Sequence, residues 1–179
     1  MNNADERELI ENCMNGDRQA IEGLLFKYEK PVYNAAFRML HSSEDARDVT
    51  QTVFLKVIEN LDSYDPTYRF FSWIYRIALN ESINCLKKQN RLEALDREPA
   101  AEGAGPEEQT GTDQMSQRMQ IALMTIKAEY RTVIVLKHFV DCSYDEISQI
   151  LNVSEKTVKS RLYTGRQLLK KALSKSGMH

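Results

Sequence analysis

The stretch CSYDEISQILNVSEKTVKSRLYTGRQLLKKAL, residues 142–173, holds two short amphipathic segments around a tight break. Ile147, Ile150, Leu151, Val153, Val158 and Leu162 are apolar at the spacings a helix-turn-helix core requires. Asn152 stands where the turn wants a residue that tolerates positive φ, and Ser154 is placed to cap the second helix. Projected at about 100° per residue, that helix gathers Val158, Leu162, Gly165, Leu169 and Ala172 on one face and Lys156, Lys159, Ser160, Tyr163, Arg166, Gln167 and Lys170 on the other. Residues 153–179 carry seven basic side chains against one acid. One face packs and the other is basic, which suits a helix lying in a DNA major groove against phosphates.

The rest of the chain supports a helical reading. Outside residues 92–113, Gly and Pro are scarce and apolar residues recur at three and four. Asp17 is placed to cap a helix through about Tyr28, and Pro31 suits the first turn of another through about Leu40. Ser42 or Ser43 then caps SSEDARDVTQTVFLKVIENL, with Glu44 and Asp45 in its first turn favouring the dipole, and the turn signal Asp62-Ser63-Tyr64-Asp65-Pro66 stops it near Leu61. A further helix is expected from about Phe70 to Arg91, and about four more in the C-terminal piece. No strand pattern competes, so the expected class is all-α.

Charge divides the chain more sharply than its totals suggest. Over 179 residues the net charge is only -2, with 42% hydrophobic and 28% charged residues, a globular composition. Residues 1–91 carry 12 basic and 14 acidic side chains, residues 92–113 carry 1 and 7, and residues 114–179 carry 11 and 5. The middle piece, LEALDREPAAEGAGPEEQTGTD, has almost no large apolar residue after Leu95 and cannot offset the entropy of ordering it. It reads as a flexible acidic linker between two small helical domains, 1–91 and 114–179.

Several function classes fall away. The longest apolar runs, such as Val133 to Leu136, are four residues, and no secretory h-region opens the chain, so membrane insertion is not expected and the cytoplasm is the expected compartment. Cys13, Cys85 and Cys142 sit inside apparently helical patterns, with neither a disulfide framework nor a zinc spacing. Three scattered histidines and the lack of a Gly-rich phosphate loop argue against an enzyme and leave no metal or cofactor to expect.

Two surfaces in the first half are candidates for binding. The helix after Ser42 packs through Ala46, Val49, Val53, Val57 and Leu61, and its opposite side shows Asp48, Gln51, Thr52, Leu55 and Glu59, an exposed apolar residue among acids and amides as at the centre of a protein contact. The next helix opens with DSYDPTYRFFSWIYR, where Tyr64, Tyr68, Phe70, Phe71, Trp73 and Tyr75 interleave with Arg69 and Arg76. Trp73, Arg76, Asn80, Asn84, Lys87 and Arg91 share one stripe, a combination that suits unstacked bases and a phosphate backbone. At least half of these aromatics are expected to be core.

Together the two halves resemble a bacterial sigma factor of the short, two-domain extracytoplasmic-function type within the sigma-70 family. DARDVTQTVFLKVI (45–58) is similar to the family's core-polymerase-binding region, RFFSWIYRIALNESINCLKK (69–88) to its melting and -10 recognition regions, and VIVLKHFVDCSYDEISQILNVSEKTVKSRL (133–162) to its -35-binding region. The resemblance implies that Asp48, Gln51 and Leu55 dock on core RNA polymerase. It implies that Tyr68, Arg69, Phe71, Trp73, Arg76, Asn80, Lys87 and Lys88 hold the melted -10 strand, and that Lys156, Lys159, Ser160, Arg161, Tyr163 and Arg166 meet the -35 duplex. The implied partners are core RNA polymerase, promoter DNA and an anti-sigma factor, with a monomer when free. Ser148 and Asn152 depart from the family's usual Ala and Gly, and Gly165 interrupts the recognition helix, which is expected to fray beyond Tyr163. Arg161 projects toward the packed flank on the wheel. The competing reading is a helix-turn-helix regulator that acts without binding polymerase, which would need a dimer to read a two-fold operator.

Overall fold

The computed structural model describes residues 3–95 and 111–175, with side chains over 6–92 and 115–175. The described residues form eight α-helices: α1 (Asn3–Met14), α2 (Arg18–Leu40), α3 (Ser43–Glu59), α4 (Phe70–Leu95), α5 (Gly111–Met124), α6 (Ala128–His138), α7 (Tyr144–Leu151) and α8 (Glu155–Lys175), with a short 3-10 turn at Leu61–Ser63. Most of the segment expected to be a flexible linker lies outside the described residues. At its edges the expectation is corrected: residues 92–95 continue α4 and residues 111–113 open α5.

The helix starts follow from their caps. Asp17 accepts from the Gln19 N–H at 2.8 Å, and Ser42, not Ser43, accepts from the Asp45 N–H at 3.2 Å. Between them α2 runs unbroken through Pro31, where two helices were expected. Pro31 is exposed, and Tyr28, Val32, Ala35 and Ala36 on either side of it are buried. Packing on both sides of the proline holds the helix together despite the lost hydrogen bond.

Ala46, Val49, Val53, Val57 and Leu61 are all buried, as their spacing predicts, and α2, α3 and α4 close a core around Val32, Met39, Ile74 and Leu79. The aromatics on and just before α4 divide as expected. Tyr64, Phe70 and Tyr75 are buried, and Tyr64, Phe70 and Trp73 form a ring cluster with centroids 5.4–5.5 Å apart. The same apolar cluster continues into the C-terminal half through Val133, Val135, Leu136, Cys142, Ile147, Ile150, Val158 and Leu162. Cys142 lies in the α6–α7 connection, outside any helix, and burial with the nearby Glu146 carboxylate pushes its thiol up to about 12, so it packs as an inert small residue.

One clasp gives acid sensitivity. Glu6 on α1 is ion-paired with Lys27 and accepts from the Tyr28 hydroxyl at 2.6 Å. Burial alone would raise the Glu6 pKa, but those two bonds outweigh it and hold the carboxyl below its ordinary value. A depressed carboxyl stabilises the fold fully above the unfolded pKa and loses that contribution as pH falls through the folded one. Melting temperature should therefore decline below about pH 4.5 partly through Glu6. In Glu6→Gln the neutral-pH melting temperature should be lower and its acid decline shallower; parallel curves for the two proteins would remove Glu6 from the account.

Candidate nucleic-acid interface

The turn between α7 and α8 is built from short polar side chains. Ser143 Oγ accepts from the Glu146 N–H at 3.1 Å, and Glu146 Oε2 accepts from the Ser143 N–H at 2.8 Å, a reciprocal cap that starts α7. Asn152 ends α7 in the left-handed region (φ 51°), and the Val153 N–H returns to Ser148 O at 3.1 Å. Ser154 then accepts from the Thr157 N–H at 3.2 Å and opens α8. An Asn thus meets the backbone requirement that Gly meets in the family's usual turn.

Helix α8 does not fray after Tyr163; it continues to Lys175. The reason lies across the helix pair. A Cβ at Gly165 would stand 3.0 Å from Ile134 Cδ1 and 3.3 Å from the Tyr130 carbonyl, so the missing side chain lets α8 lie close against α6. Packing there offsets a propensity cost of about 1 kcal/mol. Val158, Leu162 and Gly165 are buried, Leu169 is half-buried, and Lys156, Lys159, Ser160, Tyr163 and Arg166 are exposed. Arg161 is half-buried on the flank, as the wheel places it.

Two of these exposed residues have neighbours that the sequence did not reveal. Lys159 pairs with Glu155 at 3.1 Å and lies over the Tyr144 ring at 5.5 Å. Arg166 donates from Nε to His138 Nε2 at 3.2 Å. Burial, then the adjoining Arg166 and Lys137 charges, lower the His138 pKa, which favours the neutral ring this bond requires.

On α4, Arg76, Asn80, Lys87 and Lys88 are exposed, and Tyr68 in the preceding loop is 56% exposed. Phe71 and Trp73 are half-buried: Phe71 packs against the Tyr75 ring with centroids 4.6 Å apart at a tilt of 42° and Trp73 sits in the ring cluster, so each offers only part of its surface to a base. Arg69 is exposed, lies 5.6 Å from the Phe71 ring and is ion-paired with Glu146 of α7. Arg76 donates to the carbonyls of Gln149 and Ile150, the latter at 3.2 Å. No periodicity along α4 signals these partners, which lie more than seventy residues away.

The third surface is the outer side of α3. Asp48 and Gln51 are exposed and Leu55 is 61% exposed. Ile58, one turn on, and Met14 at the end of α1 are also exposed; the sequence reading passed over both. Among the described residues no cluster of His, Cys, Asp and Glu could hold a metal ion, and no helix is long and apolar enough to cross a membrane.

Comparison with known proteins places both halves. Residues 24–92 match the family described as Sigma-70 region 2, and residues 116–169 match Sigma-70, region 4. The chain is 33% identical to the ECF RNA polymerase sigma factor SigW of Bacillus subtilis over 93% of this chain and 96% of that protein. It is 29% identical to the ECF RNA polymerase sigma-E factor of Escherichia coli K12 over 92% of each. Among solved structures its fold is similar to CnrH in complex with the cytosolic domain of CnrY, with TM-score 0.74 at 24% identity over 96% of this chain and 98% of that one. It is also similar to RpoE in complex with the anti-sigma factor NepR from Bartonella quintana, with TM-score 0.72 at 22% identity over 86% and 96%.

Proposed function

The chain belongs to the extracytoplasmic-function sigma factors of the sigma-70 family, and from that premise we propose how its three surfaces divide the work of starting transcription. It binds core RNA polymerase, recognises the -10 and -35 promoter elements and promotes DNA melting. The family acts in transcription rather than as enzymes, so RNA synthesis belongs to the polymerase. The observation that carries the assignment of surfaces is the coexistence in one chain of an exposed apolar-acidic stripe on α3 and an exposed basic face on α8.

Asp48, Gln51 and Leu55 dock on the polymerase. Tyr68, Arg69, Phe71, Trp73, Arg76, Asn80, Lys87 and Lys88 hold the melted -10 strand, the exposed part of each aromatic stacking on a base and the cations meeting phosphates. Lys156, Lys159, Ser160, Arg161, Tyr163 and Arg166 meet the -35 duplex, with Arg161 reaching DNA by extending along the packed flank. The functional units are the two halves, 1–91 and 114–179, joined through the acidic segment between them. The chain works in the cytoplasm as a monomer when free. An anti-sigma protein restrains it, a reading supported by the fold shared with RpoE bound to the anti-sigma factor NepR.

The two DNA surfaces depend on different physics, which supplies the test. Arg166→Ala and Lys159→Ala should weaken binding to a -35 duplex and flatten its salt dependence by about one unit of slope per lost phosphate contact. Asn80→Ala and Tyr68→Ala should spare that duplex. With core polymerase they should impair open-complex formation by about 1–3 kcal/mol per lost stacking partner, and a pre-melted bubble should rescue them only in part. If the Asn80 and Tyr68 variants weaken the -35 duplex as much as Arg166→Ala, the division is wrong.

A further inference from the structure

Resting on the sigma-factor reading above, we propose that His138 is a positioning residue for -35 recognition: by accepting from Arg166 Nε it fixes that guanidinium so that only the terminal Nη edge is offered to a base pair. A guanidinium can grip guanine O6 and N7 through either of two edges, Nε with one Nη or the two Nη groups together. With Nε engaged by the imidazole at 3.2 Å, the first edge is occupied and the second remains. An arginine held in one orientation loses less rotamer freedom when DNA arrives, and it cannot turn to accommodate the wrong base pair. Gly165 makes this reach possible. It lets α8 lie against Ile134 of α6, and His138 stands one turn beyond Ile134 on the same face of that helix.

The bond also sets the protonation of the ring. Nε2 accepts, so the imidazole is neutral and carries its hydrogen on Nδ1. His138 is exposed, and the charges acting on it are both cations, Arg166 from α8 and Lys137 from its own helix. Lys137 donates to Cys142 O at 2.9 Å. On α7, Glu146 is paired with Arg69, and Asp145 accepts from Gln149 at 2.8 Å. Helix α2 packs on α6 as well: Arg131 donates to Met39 O and Gln120 to Arg38 O at 3.2 Å, so the second half caps the end of α2, and Arg38 lies over the Phe139 ring at 4.5 Å. Among the described residues no carboxylate is paired with His138 to hold a proton on it. Protonation removes the accepting lone pair and sets two cations side by side. Arg166 is therefore held at neutral pH and released as pH falls through a His138 pKa that lies below the ordinary 6.5.

The full chain is exposed to a pool of short DNA duplexes with a randomised centre, sequenced before and after binding, so that no promoter sequence is assumed. At about pH 7.5, Arg166→Ala should abolish the preference at one base-pair position. His138→Leu should reduce the preference at that same position by about threefold to tenfold, while His138→Gln, whose amide oxygen can accept in place of the imidazole, should keep most of it. Lowering the pH to about 5 should relax that position in the unsubstituted chain and leave His138→Gln unchanged, a difference that a merely structural role would not produce. An intact preference in His138→Leu beside a lost one in Arg166→Ala overturns the positioning alone and leaves the sigma-factor reading standing. An affinity gain for every duplex alike at low pH, absent from His138→Gln, also overturns it, since His138 would then meet phosphate itself. A pool that shows no base preference for the unsubstituted chain overturns both the positioning and the -35 reading of α8.

Discussion

Arg131→Met should lower the melting temperature by roughly 6–20 °C, because it would leave three backbone carbonyls without a donor in a site closed to water. Arg131 is 5% exposed. Its Nη2 donates to Met124 O and Ile126 O, both at 3.0 Å, and its Nη1 donates to Met39 O. Burial lowers its pKa, yet the fork of donors meets carbonyl dipoles that hold the charge in place. Met fills a similar volume but offers no hydrogen. At about 1–3 kcal/mol for each stranded acceptor, partly relieved by relaxation, the loss comes to about 3–5 kcal/mol. Each kcal/mol moves the midpoint of a chain this size by about 2–4 °C. Arg131→Lys should recover only part of the loss, since a point charge cannot span all three oxygens. A thermal melt within about 2 °C of the unsubstituted chain for Arg131→Met would show that water or backbone shifts satisfy the carbonyls.

Leu55→Asp should leave the free chain almost untouched and weaken its hold on core polymerase by at least about thirtyfold. The side chain already faces solvent, so the substitution costs the fold no more than about 0.5 kcal/mol. At the centre of a contact the same carboxylate must be stripped of water beside Asp48 with no cation on its own helix face to receive it, a penalty of several kcal/mol. Asp48→Arg should act in the same direction through a reversed charge at the rim. Fluorescence titration with core polymerase, run beside a melt of each variant, separates docking from folding. Unchanged affinity in both variants would sink the assignment of this stripe.

What could be read from the sequence was what repeats along a helix. The buried faces of α3 and α8 follow from spacing alone, because a side chain's direction around a helix depends only on its position in the chain. The exposed stripes on α3, α4 and α8 were legible for the same reason. Pro31 and Gly165 were misjudged because the rules applied to them are local: one weighs a lost hydrogen bond, the other a backbone entropy. In both places a neighbouring element decides the balance, the core beneath α2 in one case and Ile134 of α6 in the other. The partners of Arg76 and Arg131 were invisible on any wheel, since they are main-chain oxygens that every residue carries.

The capping of α2 by the second half has a consequence for how the chain is made. Met39 O waits for Arg131, 92 residues later in the sequence, and Arg38 O waits for Gln120. At about 5–20 residues per second, a ribosome completes α2 roughly 5–20 s before its final cap exists. The N-terminal bundle therefore emerges with one end unfinished and with the apolar surface destined for α6 and α7 open to the surrounding solution. Contacts of such long sequence separation form late and slowly. During that interval the nascent chain is a natural client for a chaperone, and synthesis of the last third of the protein is the step that makes the first third whole.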